Sequence, residues 1–555
     1  MRLTVVLAME KGYPRVRQGQ ANAPENGRVS VDRAELSGEI IGELGQLFVE
    51  TLTRIAPELV ACDLDGIERL LQQTSRNIMG RVVERAVEAI GAAETRIPNC
   101  LKCHQPMGLV DPKRKRDLDG LVGDYRLLRP YYACDRCEQQ TSAPLDERLG
   151  IGSGKLSPGL GRVAARLGIE ESFVEDSSLL EEVLGVRVAD EPIRRITEGI
   201  GAVAEAEEQA AIALAKAGKD PVGADRVQPS EALVVQVDGV KVRLIDDWHE
   251  AKVGLVASLG PELVVDKKTG RTHLRLEAPD YFAGLEAGEE FWWRAYVAAC
   301  RRGLGSSQVK LIELLGDGSD WIWRHGRSFL DVAEARGAAA VEIIEVLDIC
   351  HANEHLWKVG NVVFGIGTAA AAAWVEPLKK KLVEEGPGPI LEALGELAKR
   401  VPTKDKPEAE QQGKGEDDKR KERADDANKG RNKRKGEGKK QRKDKDEELD
   451  PAEEVRKAIA YFTEHSARMD YPGFLARNLP IGSGAVESTC KEREKGAGMR
   501  WTREGAQAVA TLRAVQRSGR WQSFWQTRPQ RRRPLVFPGP RKPVSSDPEA
   551  ANRAA

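Results

Sequence analysis

LVVQVDGVKV, residues 233–242, is a run of β-branched apolar residues that delivers one carboxylate, Asp238, beside a glycine. Such a run reads as a buried strand. An acidic residue at the end of a buried strand costs free energy unless it is paired or holds a metal. The Asp-Gly step itself predicts a turn, so the strand is expected over 233–237, with Asp238 presented at its end.

Two distant stretches supply partners for that carboxylate. VKLIELLGDGSD, residues 309–320, repeats the apolar run followed by Asp-Gly and offers Asp317, with Asp320 close behind as a rival and Asp348 as another. PIGSGAVESTCKEREKGAGMRW, residues 480–501, offers Glu487 near the start of an expected helix that Ser483 can cap. Three carboxylates meeting in the fold would make a hard, oxygen-rich site suited to Mg²⁺ or Mn²⁺. Two such ions roughly 3.5–4 Å apart can serve phosphodiester chemistry. Taken singly, each acid also has a plain reading. Asp-Gly after a strand is common turn chemistry, and Glu487 shares a helical face with Lys491, one turn from Lys495, as routine ion pairs do.

Outward from the first strand, residues 250–258 and 271–276 read as two further strands of a meander. A helix follows over 289–302, then strands over 309–315 and 341–347, with a helix between them. That order is the one expected of a ribonuclease H-like α/β core with a parallel centre, where strand ends carry the polar site.

Upstream, Cys100-Leu-Lys-Cys103 and Cys134-Asp-Arg-Cys137 are two Cys-x-x-Cys knuckles separated by about thirty residues. Four thiolates so spaced suit one structural Zn²⁺ with a β-hairpin between the knuckles, and His104 is a bystander. Residues 31–91 carry helical periodicity and either cover this module or form a dimer surface. Residues 156–203 read as helical, and the pair joined at Gly185 has the outline of a helix-turn-helix. Its second helix, 190–200, would bring Arg194 and Arg195 to a DNA major groove; an ordinary helical hairpin looks the same.

The fold class is therefore a multi-domain α+β chain. It divides into an N-terminal helical region (1–95), a zinc-knuckle module (96–150) and a helix-turn-helix-like region (151–225). The first part of the core (231–356), a helical insertion (357–480), the C-terminal core helices (481–528) and a basic tail (529–555) follow. Within the insertion, residues 401–450 hold 17 Lys/Arg and 15 Asp/Glu with no aromatic residue, too little apolar surface to offset ordering entropy. The net charge of −1 hides an uneven distribution, because residues 491–555 carry 15 Lys/Arg against five Asp/Glu, which suits a polyanion. No apolar stretch approaches a membrane span and no signal-peptide core is visible. A cytoplasmic protein, nucleoid-associated when bound to DNA, is expected, and unpaired thiols there favour metal over disulfides.

VQVDGVKV, LLGDGSDWIW, LDICHANEHLW and LPIGSGAVESTCKEREKGAGMRWTREGAQAVATLRAVQRSGRW, in this order, resemble bacterial insertion-sequence transposases of the DDE type, in the Kra-type group related to Mutator-like transposases. The resemblance covers roughly residues 231–525. It implies catalytic, Mg²⁺-binding roles for Asp238, Asp317 and Glu487, and places His351 beside the scissile phosphate or a flipped base. It also implies a helical insertion before the Glu-bearing helix and an N-terminal DNA-binding half; the expected partner is double-stranded DNA, with the chain a homodimer in that complex. The implied activity is binding of terminal inverted repeats, cleavage, and strand transfer into target DNA. Lys491, Lys495, Arg500 and Trp501 would lie along the DNA, with Trp501 stacking on an unpaired base for about 1–3 kcal/mol. The alternatives are a nuclease that cuts without joining and a domesticated zinc-containing DNA-binding protein.

Overall fold

A computed structural model describes residues 33–92, 96–137, 140–265, 272–334, 341–401, 450–486 and 500–531. Glu487, Lys491 and Lys495 lie outside these residues, as do nearly all of the charge-rich linker, the first 32 residues and the tail beyond 531. The chain is mixed α+β and divides into two compact units, residues 1–151 with 155–157, and 152–154 with 158–555. Among the described residues no helix is long and apolar enough to cross a membrane.

The first unit begins with two long helices, α1 (Arg33–Ala61) and α2 (Leu64–Ala92), tied by Arg85 to Glu43 at 2.6 Å. Then come β1 (Gly108–Leu118) and β2 (Tyr125–Ala133), an antiparallel ribbon to which the short β3 (Thr141–Ser142) adds. The β1–β2 connection lies close against α2. A Cβ on Gly123 would sit 2.0 Å from the Arg76 carbonyl oxygen, and one on Gly80 would sit 2.4 Å from that of Asp124. Arg76 donates to the carbonyls of Leu121 and Gly120, so this loop's polar groups are paired as it is covered. Val87, Leu118, Leu127 and Leu145 form a small core. Beside it the buried Asp146 carboxylate bridges Arg116 at 2.9 Å and Arg129 at 2.6 Å. The helical region and the zinc-knuckle module expected as two domains thus belong to one unit.

The second unit opens with α4 (Pro158–Leu167), α5 (Phe173–Leu184) and α6 (Asp190–Lys216), the short α3 (Pro144–Leu149) having closed the first. Ser172 and Glu175 form a capping box at the start of α5, and Gly185 ends it at φ +63°. Asp176 on α5 is fully buried, and neither of its carboxylate oxygens has a hydrogen-bond partner among the described residues. Burial first, then the charges of Glu171 and Glu175, push it up to about 7. An acid whose folded value is raised binds more protons folded than unfolded, so it lowers stability as pH rises from about 4 to about 7. Asp176→Asn is expected to stabilise the chain by about 2–4 kcal/mol at pH 8 and by much less at pH 4. Thermal melts of both proteins at the two pH values measure this; an equal shift at both removes the titration account.

The sheet of this unit runs β6-β5-β4-β7-β8. Its strands are β4 (Ala232–Arg243), β5 (Trp248–Val265), β6 (Thr272–Gly284), β7 (Leu311–Gly316) and β8 (Glu342–Leu347). β4, β5 and β6 pair antiparallel, whereas β4–β7 and β7–β8 are parallel. Helix α7 (Gly288–Arg301) lies between β6 and β7, and α8 (Asp320–Glu334) between β7 and β8, as the apolar periodicity predicts. Phe291 and Trp292 on α7 are fully buried. Helices α9 (Ile349–Phe364), α10 (Ala369–Glu385), α11 (Gly388–Arg400), α12 (Pro451–Glu464) and α13 (Tyr471–Ala476) place Val359, Val375, Ile390, Phe462 and Tyr471 in the same core as the sheet. The helical insertion is therefore a layer of this domain.

The turn expected at Asp238-Gly239 is absent, because β4 runs on to Arg243 with β5 opposite it residue for residue: Asp238 faces Val253 and Gly239 faces Lys252. Val240 and Val242 keep the period-two pattern, so an antiparallel partner carries the strand through a dipeptide that locally favours a turn. The parallel neighbour β7 does stop there, its last pair being Val237 with Gly316. Asp238 is the first β4 residue beyond that pairing, at the C-terminal edge of the parallel half.

Two helices close the described chain, Arg503–Arg517 and Trp521–Arg531, the latter running into the expected tail. The first lies so close to α6 that a Cβ on Gly201 would meet the Ala508 carbonyl oxygen at 2.2 Å. Arg301 on α7 reaches Glu208 at 2.6 Å and the fully buried Asp280 at 3.4 Å, and Arg520 reaches Asp280 at 3.2 Å. Burial opposes the Asp280 charge, but Arg520, Arg301 and Arg302 together hold its carboxyl below the ordinary value.

Candidate metal centres

Ligand atoms of Asp238, Asp317 and His351 all lie within 4.8 Å of one another, and all three residues are half-buried. Each arrives by a different route. Asp238 stands on β4, with one carboxylate oxygen accepting from the Gly239 amide at 2.7 Å. Asp317 follows the last residue of β7, with one oxygen accepting from the Ser319 amide at 2.8 Å. His351 stands in the first turn of α9, directly after β8, and its Nδ1 lies 3.4 Å from Glu354. Two carboxylates and an imidazole at this spacing can hold a divalent cation.

Both rivals fall outside this group. Asp320 is 73% exposed and lies 3.4 Å from Arg324. Asp348 is buried and caps α9, accepting from the Cys350 amide at 2.8 Å and from the Ser483 hydroxyl. The Ile349 amide donates to the Ile481 carbonyl at 3.0 Å and Val486 is fully buried, so residues 481–486 dock at the start of the helix that carries His351.

Tyr461 and His355 line the same region, and neither was singled out in the sequence. His355 follows His351 by one helical turn in LDICHANEHLW, the signal that would have found it. Its ring stacks on Tyr461 with centroids 3.8 Å apart. Burial first, then the Lys358 charge, lower its pKa and favour the neutral imidazole. Burial first, then the charges of Asp317, Asp348 and Glu354, push the Tyr461 phenol up, so it remains a hydrogen-bond donor.

The expected DNA-contacting residues are placed differently. Arg194 is only 12% exposed and is paired with Glu191 at 2.6 Å and with Glu198. Ile193, Ile196, Ile200 and Gly201 are buried as well, so this stretch of α6 packs as scaffold and the groove-entering reading of residues 190–200 is corrected. Arg195 is half-buried on the same helix. An amphipathic pair joined at glycine does not reveal which of its faces the rest of the chain will cover. Arg500 is exposed. Trp501 pairs its backbone with Arg243 and Ile245, and its ring meets Phe173 edge-on at 5.7 Å, which gives it a packing role.

The second cluster is Cys100, Cys103, Cys134 and Cys137, whose sulfurs lie within 4.8 Å of one another. Cys103 and Cys134 are 3.6 Å apart, which is contact and not a disulfide. The amides of Lys102 and Cys137 donate to the sulfurs of Cys100 and Cys134 at 3.4 and 3.3 Å. Backbone hydrogen bonding, that from Cys103 foremost, brings Cys100 down to about 7. Burial and then the neighbouring thiols push Cys137 up to about 12. Four sulfurs crowded in this way ionise together only if a cation takes up the charge, which fits tetrahedral Zn²⁺. His104, in a left-handed conformation at φ +57°, is outside the group.

No family model matches the chain, and comparison with curated proteins returned no match.

Proposed function

We propose that this chain is a DDE-type DNA transposase with a ribonuclease H-like core, which binds the terminal inverted repeats of its element, cleaves there and joins the ends to target DNA. The observation that carries the reading is the convergence of Asp238, Asp317 and His351 at the C-terminal edge of the parallel strands. The strand order supports it, since a three-stranded antiparallel meander followed by two parallel strands on the β4 side is the order of that core.

Asp238 and Asp317 would hold a pair of Mg²⁺ ions, with Glu487, which follows the docked Val486, as the third carboxylate. When bound, such ions lower the pKa of water and neutralise charge on the reacting phosphodiester. The protein's own part is positional. Adjacent strands fix the two carboxylates, each with one oxygen held by a backbone amide. His351, on the N-terminal turn of α9, would orient the scissile phosphate from the third side. With Arg194 tied into its helix, the DNA grip is assigned to β1 of the first unit, where Lys113, Arg114 and Lys115 are exposed. Lys115 and Lys155 join Arg126 in depressing the Asp117 carboxyl, Arg126 having the largest effect. These cations would contact phosphates without reading sequence.

The test uses duplexes bearing the inverted repeats that flank the reading frame, supplied uncut or with free 3′-hydroxyl ends. With Mg²⁺, nicking of the first and joining of the second to plasmid DNA are expected. Nicking without joining would make the chain a nuclease, and metal-independent DNA binding alone would make it a DNA-binding protein.

A further inference from the structure

Tyr461 on α12 is held on three sides. Its ring stacks on His355 at 3.8 Å with an interplanar angle of 18°, and meets Phe462 at 5.6 Å and His465 at 4.8 Å edge-on. The fourth side is Gly318, the residue after Asp317: a Cβ there would sit 2.4 Å from the ring's Cε2 and 3.1 Å from the hydroxyl oxygen. Glycine at this position is what lets the phenol edge reach the Asp317 loop. The hydroxyl is buried and has no hydrogen-bond partner among the described residues. A donor fixed by packing and left without an acceptor is destabilising in itself, and packing of the ring does not require it.

We propose that Tyr461 is a positioning residue of the Asp238–Asp317–His351 centre, whose phenol donates a hydrogen bond to an oxygen that arrives with the bound metal and DNA. The acceptor is either a water on the ion beside Asp317 or a non-bridging oxygen of the phosphodiester, both of which present a lone pair to a fixed donor. This rests on the metal-centre reading above. Groups of this kind orient the ligands of an ion without touching it, and losing one typically weakens metal binding or activity by about 10–100-fold.

The experiment compares the zinc-loaded full-length protein with Tyr461→Phe and Asp317→Asn. Mn²⁺ binding is followed by electron paramagnetic resonance without DNA, and DNA binding is measured with and without non-cleaving Ca²⁺. Tyr461→Phe keeps the ring, so its melting temperature is expected to equal or exceed that of the parent. If the acceptor is a metal-bound water, Mn²⁺ binding weakens about 10-fold without DNA. If it is a phosphate oxygen, Mn²⁺ binding is unchanged and only the Ca²⁺-dependent part of DNA binding weakens. Either result supports the proposal. Wild-type values in both assays would overturn it while Asp317→Asn still abolishes Mn²⁺ binding. Saturable Mn²⁺ binding that survives Asp317→Asn would overturn the metal centre and the role of Tyr461 together.

Discussion

Asp238→Asn is expected to lower Mg²⁺-dependent cleavage and joining by about 10³-fold or more, equivalent to about 4 kcal/mol of lost transition-state stabilisation, with DNA binding at matched salt and the melting temperature unchanged. The side chain stands on β4 opposite Val253 of β5, so the paired strand holds the isosteric amide in the same place. Its oxygen can still accept from the Gly239 amide, as one carboxylate oxygen does now at 2.7 Å. The negative charge is what disappears, and a divalent cation depends on that charge far more than a neutral hydrogen bond does. Asp317→Asn is expected to match it, whereas Asp320→Asn, at an exposed position outside the group, is expected to retain activity. The measurement is product formation on pre-cut and uncut duplexes across a Mg²⁺ titration. Joining by Asp238→Asn at the parent rate would remove the carboxylate from the chemistry.

The parts of this domain that were legible in the sequence are those where local pattern and tertiary surroundings agree. Five strands and the two intervening helices follow from β-branched runs and apolar periodicity, because a sheet covered on its faces needs near-continuous apolar strands. Asp238, Asp317 and His351 each follow such a run in the sequence, and the fold brings them together. Where pattern and surroundings disagree, the surroundings prevail. Asp238-Gly239 is strand because β5 lies opposite it. Residues 190–200 are scaffold because the helix Arg503–Arg517 packs along α6, a contact between segments some 300 residues apart that no local window contains. Asp317 and Asp320 are equivalent in composition and separate only when the first turn of α8 carries Asp320 into solvent. Tyr461 had no local mark at all. Its meaning depends on the absent side chain of Gly318, more than 100 positions earlier in the chain.

Removing zinc is the other change with a large expected effect, and the size of the first unit's core is the reason. Its β-ribbon rests on Val87, Leu118, Leu127 and Leu145, and beyond them on a patch of Met107 and Tyr132 packed around the cysteines themselves. Without a cation, the four crowded thiols do not ionise together, since backbone hydrogen bonding holds the Cys100 thiol below the ordinary range while burial holds that of Cys137 above it. So few apolar side chains offset little of the entropy of ordering the knuckles, and small modules of this kind take their stability from the metal. The protein is expected to carry one tightly held zinc. Stripping it with a chelator, or replacing Cys134 by Ser, should abolish hydrogen-exchange protection across β1 and β2 while the amides of β4 and β7 stay protected, since those strands belong to the other compact unit. Zinc content by metal analysis and peptide-resolved exchange measure the two halves of this expectation. A ribbon that stays protected with no metal bound would mean that the apolar core suffices, and the four cysteines would lose their structural role.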